Sequence, residues 1–317
     1  MSDQQLRTAV VLLIFNRPDK TAVVFEAIRR ARPPQLLVIA DGPRRDRTGE
    51  ADLCAASRAI IENVDWPCKV EQCYADENLG CRRRVSSGIT WAFQQVEQAI
   101  ILEDDCVPHF SFFRFCEELL ERFDHDRRVM MISGDNFLGG RRRTNDSYYF
   151  SRYAHIWGWA TWRRAWTHYD VTMSRWPVVR DGNWLLDMLG HPGLSAFWTE
   201  TLDRVYRGEI DTWDFQWVFT CWLQGAYAVL PQCNLVTNIG FDDDATHTKA
   251  ASVLSRIPAA KMGFPLRHPP FLIRDAEADR HTEALMGWRQ DPSDSGRSSR
   301  LGRVLARLRR LASPIDH

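Results

Sequence analysis

The chain has 317 residues, of which 44% are hydrophobic, and its 41 basic and 41 acidic side chains give a formal net charge of zero. This length and composition allow a large buried core, and a zero net charge excludes a bulk electrostatic attraction to nucleic acid. The eight cysteines form no Cys-x-x-Cys pair and no run of about 18 apolar residues occurs, so we expect neither a disulfide scaffold nor a membrane span.

Short apolar runs alternate with amphipathic segments over the first 135 residues. The apolar runs predict strands at 9–15, 36–40, 70–74, 99–102 and 129–132. The segments between them predict helices after Pro18, over 50–63, over 82–98, and from Pro108 to about Phe123. This alternation is typical of a parallel sheet with helices on both faces.

The second half of the chain has a different composition. Ten of the thirteen tryptophans lie between residues 153 and 222, which indicates an aromatic core in which one or two rings can still stack on a sugar. We expect a mobile loop over 137–148 and a single domain over 1–255, followed by an extension over 256–317. The extension contains a linker over 291–300 rich in Pro, Ser and Arg, and then a terminal basic amphipathic helix.

That terminal helix combines an apolar stripe with arginines. The stripe consists of Leu301, Val304, Leu305, Leu308 and Leu311. The pattern predicts contact with an anionic membrane surface or a partner groove. The alternative is a helix that docks on its own domain.

Three consecutive acids follow the apolar run that ends at Leu102, namely Glu103, Asp104 and Asp105. The carboxyl ends of strands are where open α/β sheets bind ligands. Clustered carboxylates resist full ionisation unless a cation lies among them, and Mg²⁺ and Mn²⁺ prefer oxygen ligands. The alternative is an acidic helix N-terminus ahead of Pro108.

The segment 101–108, continued by Phe112 and Phe113, resembles the strand and Glu-Asp-Asp segment of the GT-A nucleotide-sugar glycosyltransferases. The likeness is strongest to the N-acetylglucosaminyltransferase I family and to bacterial sugar transferases labelled haemolytic-protein-like, and it covers about residues 8–250. It implies a GT-A, Rossmann-like fold: a mixed, mostly parallel sheet flanked by helices, with a donor half over 1–135 and an aromatic-rich acceptor half over 136–255.

The same resemblance implies a set of donor and metal residues. Asp105 matches the direct ligand of Mn²⁺ or Mg²⁺, and Asp104 and Glu103 match neighbours that face the ribose and the donor sugar. Phe15 and Arg17 close the first strand, where Arg17 matches a nucleotide contact, and Asp41 matches the acid that reads the nucleobase. A late histidine completes the metal site in some GT-A enzymes, which makes His247 a second candidate ligand.

Three arginines, at 82–84, follow the turn Asn78-Leu79-Gly80 at the start of a predicted helix. A helix N-terminus favours anions, and an arginine there can bind a diphosphate in a bidentate manner. We select Arg84 as the donor-binding candidate, and a solvated basic face is the alternative.

The segment Trp213-Asp214-Phe215-Gln216-Trp217 resembles the family's Trp-Asp-Asp-Trp segment, whose first acid is the general base. The likeness makes Asp214 the candidate base, although Phe215 replaces the second acid, and Asp211 remains an alternative. Either acid can instead cap the following helix. Trp157 and Trp159 lie in a segment that resembles the Gly-Trp loop ahead of the acceptor site.

Together with the resemblance, these features predict a metal-dependent glycosyltransferase that uses a nucleoside-diphosphate sugar and a glycan or lipid-linked acceptor, and the resemblance alone implies an inverting mechanism. A sugar-nucleotide nucleotidyltransferase and a non-catalytic carbohydrate-binding protein are the alternatives. The first would need a glycine-rich loop with a basic residue after the first strand, and Phe15-Asn16-Arg17-Pro18 is not one. The N-terminus resembles no signal peptide, so we expect a cytoplasmic protein, with the terminal helix as a peripheral contact to the inner membrane face.

Overall fold

Parallel strands build the core of the protein, as a computed structural model of residues 6–240 and 257–289 shows. The strands in these ranges are β1 (Ala9–Ile14), β2 (Gln35–Ala40), β3 (Lys69–Tyr74), β4 (Gln98–Glu103), β5 (Cys106–Pro108), β6 (Val129–Ser133), β7 (Tyr148–Ser151), β8 (Trp159–Trp162), β9 (Tyr227–Pro231) and β10 (Val236–Asn238). Eight of them form one sheet in the order β3-β2-β1-β4-β8-β6-β9-β7.

Six of those eight strands run in the same direction. Strands β1 to β4 pair in parallel, β8 is antiparallel to both β4 and β6, and β9 is parallel to β6. Edge strand β7 is antiparallel to β9. The sheet is therefore mixed but mostly parallel, which confirms the predicted fold class. The carboxyl ends of β1, β2, β3, β4 and β6 consequently share one edge of the sheet.

Helices cover both faces of this sheet. They are α1 (Pro18–Ala31), α2 (Glu50–Ala59), α3 (Gly80–Gln95), α4 (Ser111–Arg122), α5 (Arg163–Trp166), α6 (Trp176–Asp181), α7 (Trp184–Leu189), α8 (Pro192–Tyr206), α9 (Asp214–Leu223) and α10 (Ala276–Met286). Helices α1 and α4 bury side chains such as Ile28 and Phe112 against one face. On the other face α3 and α9 bury Ile89 and Trp217. Both faces are dry, which explains why the central strands read as continuous apolar runs.

One predicted helix start was wrong. Pro108 ends the short strand β5, which pairs antiparallel with β10, and the helix begins only at Ser111. The partner strand lies more than 120 residues further along the chain, so local sequence could not reveal the pairing. Its effect is to turn the chain sharply after Asp105 and to bring the segment around Gly240 beside that carboxylate.

The aromatic half of the chain is mainly core, as its tryptophan content predicted. A separate cluster forms where α6, α8 and α9 meet, around Trp176, Trp198 and Trp222, and it includes Trp288 beyond α10. Residues 257–289 pack on the sheet, since the Asp275 N–H donates to the Phe150 carbonyl (2.8 Å). No helix within the two described ranges is long and apolar enough to cross a bilayer. The predicted linker and terminal helix lie outside these ranges.

Candidate active site

The ends of β1 and β4 meet through charged side chains. The Arg17 guanidinium, just beyond β1, donates from Nη2 to Asp104 Oδ1 and from Nη1 to Asp105 Oδ2 (2.9 Å). The Phe15 N–H donates to the other Asp104 oxygen at 3.3 Å. Burial alone would lower the pKa of Arg17, but the charges of Asp104 and Asp105 outweigh it and raise that pKa. The arginine is therefore firmly charged between two carboxylates.

Glu103 is the third acid of this cluster, and the charge of Arg17 compensates it only in part. Its Oε1 atom is buried and makes no hydrogen bond. Burial raises the pKa of Glu103, and the charges of Asp105 and Asp104 raise it further. Burial also raises the pKa of Asp104, although Arg17 opposes that effect. One guanidinium thus faces three carboxylates, and the excess negative charge favours a further cation.

The carboxylates fit a hard divalent cation by their chemistry. In the described ranges, no three His, Cys, Asp or Glu side chains converge as a protein-only ligand set would. Magnesium-type sites do not need such a set, because they commonly use one or two carboxylates together with substrate phosphates. Asp105 could supply one of these, and a Cβ at Gly240 would overlap its Oδ2 atom, so glycine there leaves the carboxylate its space. His247 lies outside the described residues.

Asp214 lies on the same edge, at the first position of α9. Its Oδ1 atom accepts hydrogen bonds from the Thr212 hydroxyl and from the Phe215 N–H (2.9 Å). Burial raises the pKa of Asp214. The charge of Asp214 in turn helps to raise the pKa of Glu103. The Glu103 and Asp214 carboxylates, more than 100 residues apart in sequence, therefore lie close enough for their charges to interact.

Asp41 is already fully engaged by hydrogen-bond donors. Its Oδ1 accepts from the N–H groups of Gly42 and Leu79 (both 2.9 Å), and its Oδ2 accepts from Gly80 N–H (3.1 Å) and Asn78 Nδ2 (3.0 Å). Each carboxylate oxygen offers about two acceptor positions, so these four bonds occupy the side chain. The predicted contact with a nucleobase remains a prediction, and the observed role is to hold the turn before α3.

Asp211 completes the same helix terminus from the other half of the chain. Its two oxygens accept the N–H groups of Cys81 (3.0 Å) and Arg82 (3.2 Å). Gly80 has a φ of +78°, and a Cβ there would lie 2.7 Å from Asp211 Oδ2, so the position requires glycine. Asp211 therefore caps α3 and not the helix that follows it. Asp211 and Asp41 together accept hydrogen bonds from the N–H groups at the start of α3. These N–H groups were the expected anion site.

The arginines that follow this turn do not lie as expected. Arg84 is buried, and its guanidinium donates to the carbonyl and Sγ atoms of Cys73 in β3, so this geometry does not support it as a diphosphate ligand. Arg82 donates to the Val171 carbonyl (2.6 Å). Arg83 is exposed. The helical period places successive side chains on different faces, which separates the three.

The two predicted acceptor tryptophans have different environments. Trp159 is fully buried and stacks on Trp213, with ring centroids 5.6 Å apart, so this geometry does not support contact with an acceptor. Trp159 is the first residue of β8, where it pairs with Ile101 of β4 on one side and with Ser133 of β6 on the other. This position inside the sheet makes it a core residue. Trp157, two residues earlier, is only half-buried and lies between the ends of β4 and β6.

Some residues near this edge were not identified from sequence. Glu50 ties the loop after β2 to the end of β1, because it accepts hydrogen bonds from Asn16 Nδ2 (2.9 Å) and from the Arg44 N–H (2.6 Å). Arg44 also lies 5.8 Å from the centroid of the Phe15 ring. The sequence did carry a general signal for these two residues, because the loops that follow neighbouring parallel strands must meet at the carboxyl edge of the sheet.

Two buried polar side chains, Asp135 and His155, were missed as well. Asp135 accepts the Trp157 N–H at Oδ2 (3.0 Å), while its Oδ1 and both ring nitrogens of His155 are buried without a hydrogen bond in this structure. Burial raises the pKa of Asp135 and lowers that of His155 to about 3. The one sequence signal for Asp135 was its position just after the end of β6.

No protein-family model matches the sequence, and no curated protein matches it either. Solved structures with a similar chain trace include the mannosyltransferase PcManGT from Pyrobaculum calidifontis in complex with GDP-Man and Mn²⁺ (13% identity, 96% of this chain and 81% of that chain, TM-score 0.45). S. aureus TarS 1–349 gives 10% identity, 73% and 59% coverage, and a TM-score of 0.40.

A third similar structure is the 4-diphosphocytidyl-2C-methyl-D-erythritol synthase from Anaerococcus prevotii (9% identity, 51% of this chain and 74% of that chain, TM-score 0.32). Similarities of this size do not assign the chain to a family. The resemblance to N-acetylglucosaminyltransferase I remains a prediction, and the function has to be argued from the site itself.

Proposed function

We propose that the protein is a metal-dependent, inverting glycosyltransferase of the GT-A type. It would move a sugar from a nucleoside diphosphate to a hydroxyl of a glycan or lipid-linked acceptor. The observation that carries this proposal is the convergence of Asp214 with Glu103, Asp104 and Asp105 at the carboxyl edge of the sheet. The acidic cluster at residues 103–105 suits the donor end of such a reaction, and the nearby half-buried Asp214 carboxylate suits the acceptor end.

The donor end would use Asp105, with Arg17 as the basic residue for the phosphates. A divalent cation held there would stabilise the negative charge that develops on the departing diphosphate. Arg17 has the planar geometry that pairs with phosphate oxygens in a bidentate manner. Glu103 and Asp104 would line the part of the site that faces the donor ribose and sugar.

The acceptor end would use Asp214 as the general base. Both of its side-chain contacts fall on Oδ1, which orients the carboxylate and leaves Oδ2 to accept a proton. The acceptor oxygen would bond to the anomeric carbon while the bond from that carbon to the phosphate oxygen breaks, and the hydroxyl proton would pass to Asp214. A raised pKa makes Asp214 a stronger base than an ordinary aspartate.

The experiment is a screen of UDP- and GDP-sugars with Mn²⁺, in which release of nucleoside diphosphate is measured. We expect hydrolysis or transfer of at least one donor, loss of activity on addition of EDTA, and loss of activity in Asp105→Asn. Release of pyrophosphate from a nucleoside triphosphate and a sugar phosphate would indicate a nucleotidyltransferase instead. Binding of glycans without turnover of any donor would indicate a carbohydrate-binding protein.

Asp211→Asn is the matched control for Asp214→Asn. Both acids lie in the same segment and both hold a helix N-terminus, but Asp211 is exposed and caps α3. We expect Asp214→Asn to lower turnover by about 10²–10⁴-fold, the usual contribution of a general base. Turnover in Asp211→Asn should change far less. The reverse result would exchange the two roles, and activity in both variants would remove the support for an inverting mechanism.

A further inference from the structure

The cation that neutralises Asp104 and Asp105 in this structure belongs to the protein. The Arg17 guanidinium spans both carboxylates, and the contact from Nη1 to Asp105 Oδ2 is 2.9 Å. The remaining Asp105 oxygen accepts from the Cys106 thiol at 3.4 Å. A metal ion bound at Asp105 Oδ2 would lie beside the positive charge of the Arg17 guanidinium, which donates to the same oxygen, and two cations at one oxygen repel each other. The arginine and the metal therefore compete for one carboxylate.

Arg17 is placed so that its side chain can leave while its backbone stays. Its carbonyl accepts from the Thr21 N–H (2.9 Å) and the Thr21 hydroxyl (2.8 Å), which holds the backbone at the start of α1. The guanidinium-bearing side chain is 36% exposed, against 3% for the side chain of Asp104 and 12% for that of Asp105. The acids are thus fixed in the wall of the site, and the cation lies at its open side.

We propose that Arg17 is the counter-ion of the free protein and transfers to the phosphates of a nucleoside diphosphate when a divalent metal takes Asp105. Metal and nucleotide then bind tightly only together, because each removes the obstacle to the other. The inference rests on the proposed donor site. It goes beyond that site by assigning to Arg17 control over metal affinity in the absence of nucleotide.

The coupling has a required thermodynamic consequence. If nucleotide raises the affinity for the metal by some factor, then the metal raises the affinity for nucleotide by the same factor. Removing the guanidinium should break this coupling in a characteristic direction. Metal alone should bind more tightly, since its competitor is gone, while nucleotide should bind more weakly, since its phosphates lose a partner.

The test measures binding of Mn²⁺ alone by electron paramagnetic resonance of the free ion, and then repeats it with saturating UDP or GDP after subtraction of a nucleotide blank. We expect Arg17→Gln to bind Mn²⁺ alone at least tenfold more tightly than the wild type. Nucleotide should raise Mn²⁺ affinity at least tenfold in the wild type and less than threefold in the variant. Arg45→Gln is the matched control, since Arg45 is an exposed arginine of a neighbouring loop that pairs with Glu77.

A second pair of variants covers the case in which Arg17→Gln fails to fold, because Asp104 would then be a buried and unpaired charge. The first is the single variant Asp104→Asn, and the second is the double variant that carries both Asp104→Asn and Arg17→Gln. The double variant should bind Mn²⁺ more tightly than the single variant. Equal or weaker Mn²⁺ binding without Arg17 would overturn the inference, as would absence of Mn²⁺ binding in every variant. Tighter Mn²⁺ binding without Arg17, combined with no turnover of any donor by the wild type, would uphold the competition but reject glycosyl transfer.

Discussion

The N-terminus of α3 offers the most direct test of which acids are structural and which bind a ligand. Asp41 and Asp211 both accept backbone N–H groups there, but Asp41 is buried and accepts four donors, whereas Asp211 is exposed and accepts two. The substitution Asp→Asn at each position removes the charge, keeps the shape, and replaces one acceptor oxygen by an NH₂ group. The two variants therefore change the same chemistry in different surroundings.

The expected magnitudes follow from the number of donors that lose an acceptor. In Asp41→Asn the NH₂ group faces two donors that are partly or fully buried, and each unsatisfied buried donor costs about 1–3 kcal/mol. Relief of the buried charge, whose cost is evident in the raised pKa of Asp41, offsets part of this. We expect a net loss of about 3 kcal/mol in the free energy of unfolding, or about 4–5 °C in Tm for a chain of 317 residues. In Asp211→Asn water replaces the lost acceptor, and we expect about 0.5–1 kcal/mol.

Urea unfolding followed by circular dichroism measures both values, and titration of UDP or GDP with Mn²⁺ at low temperature measures ligand affinity in the folded variants. We expect the nucleotide affinity of Asp41→Asn to stay within threefold of the wild type. If Asp41→Asn is no less stable than Asp211→Asn but binds nucleotide at least tenfold more weakly, the Asp41 carboxylate faces the ligand. The reasoning from its four donors would then be wrong.

Other outcomes follow from burial. Burial raises the pKa of Asp214, and a base must be ionised, so turnover should fall with acidity through a pKa above the ordinary 3.8; this limb of the pH profile should vanish in Asp214→Asn. Burial also raises the pKa of Asp279 to about 6, so its neutral form contributes about 3 kcal/mol of stability below pH 4, which is lost as the pH rises through 6. The unfolding free energy of the wild type relative to Asp279→Asn should fall by that amount between pH 4 and pH 8. Trp159→Ala should cost about 3–5 kcal/mol, whereas Trp157→Ala should raise the KM for the acceptor and leave Tm within a few degrees; a mild Trp159→Ala would refute its placement in the core.

The sequence by itself determined the elements whose signals are local. Strands β1, β2 and β4 are continuous apolar runs because both sheet faces are covered, and this pattern is readable without any partner. The acids at 103–105 were placed at a strand end by the same reasoning, since the apolar run stops where they begin. The class of the sheet followed from the alternation of strands and helices, and the structure confirms it.

Tertiary structure alone decided which side chains meet. Asp211 caps a helix that begins 131 residues earlier, and β5 pairs with a strand near residue 237, so neither contact leaves a trace in the local pattern. Trp157 and Trp159 have the same residue type two positions apart, yet Trp159 is fully buried and Trp157 is only half-buried. Arg17 was predicted beside a nucleotide and is found on Asp104 and Asp105. The physical reason is common to all four: hydrophobic periodicity records how one segment is buried, whereas hydrogen bonds and ion pairs depend on distances between segments that only the folded chain defines.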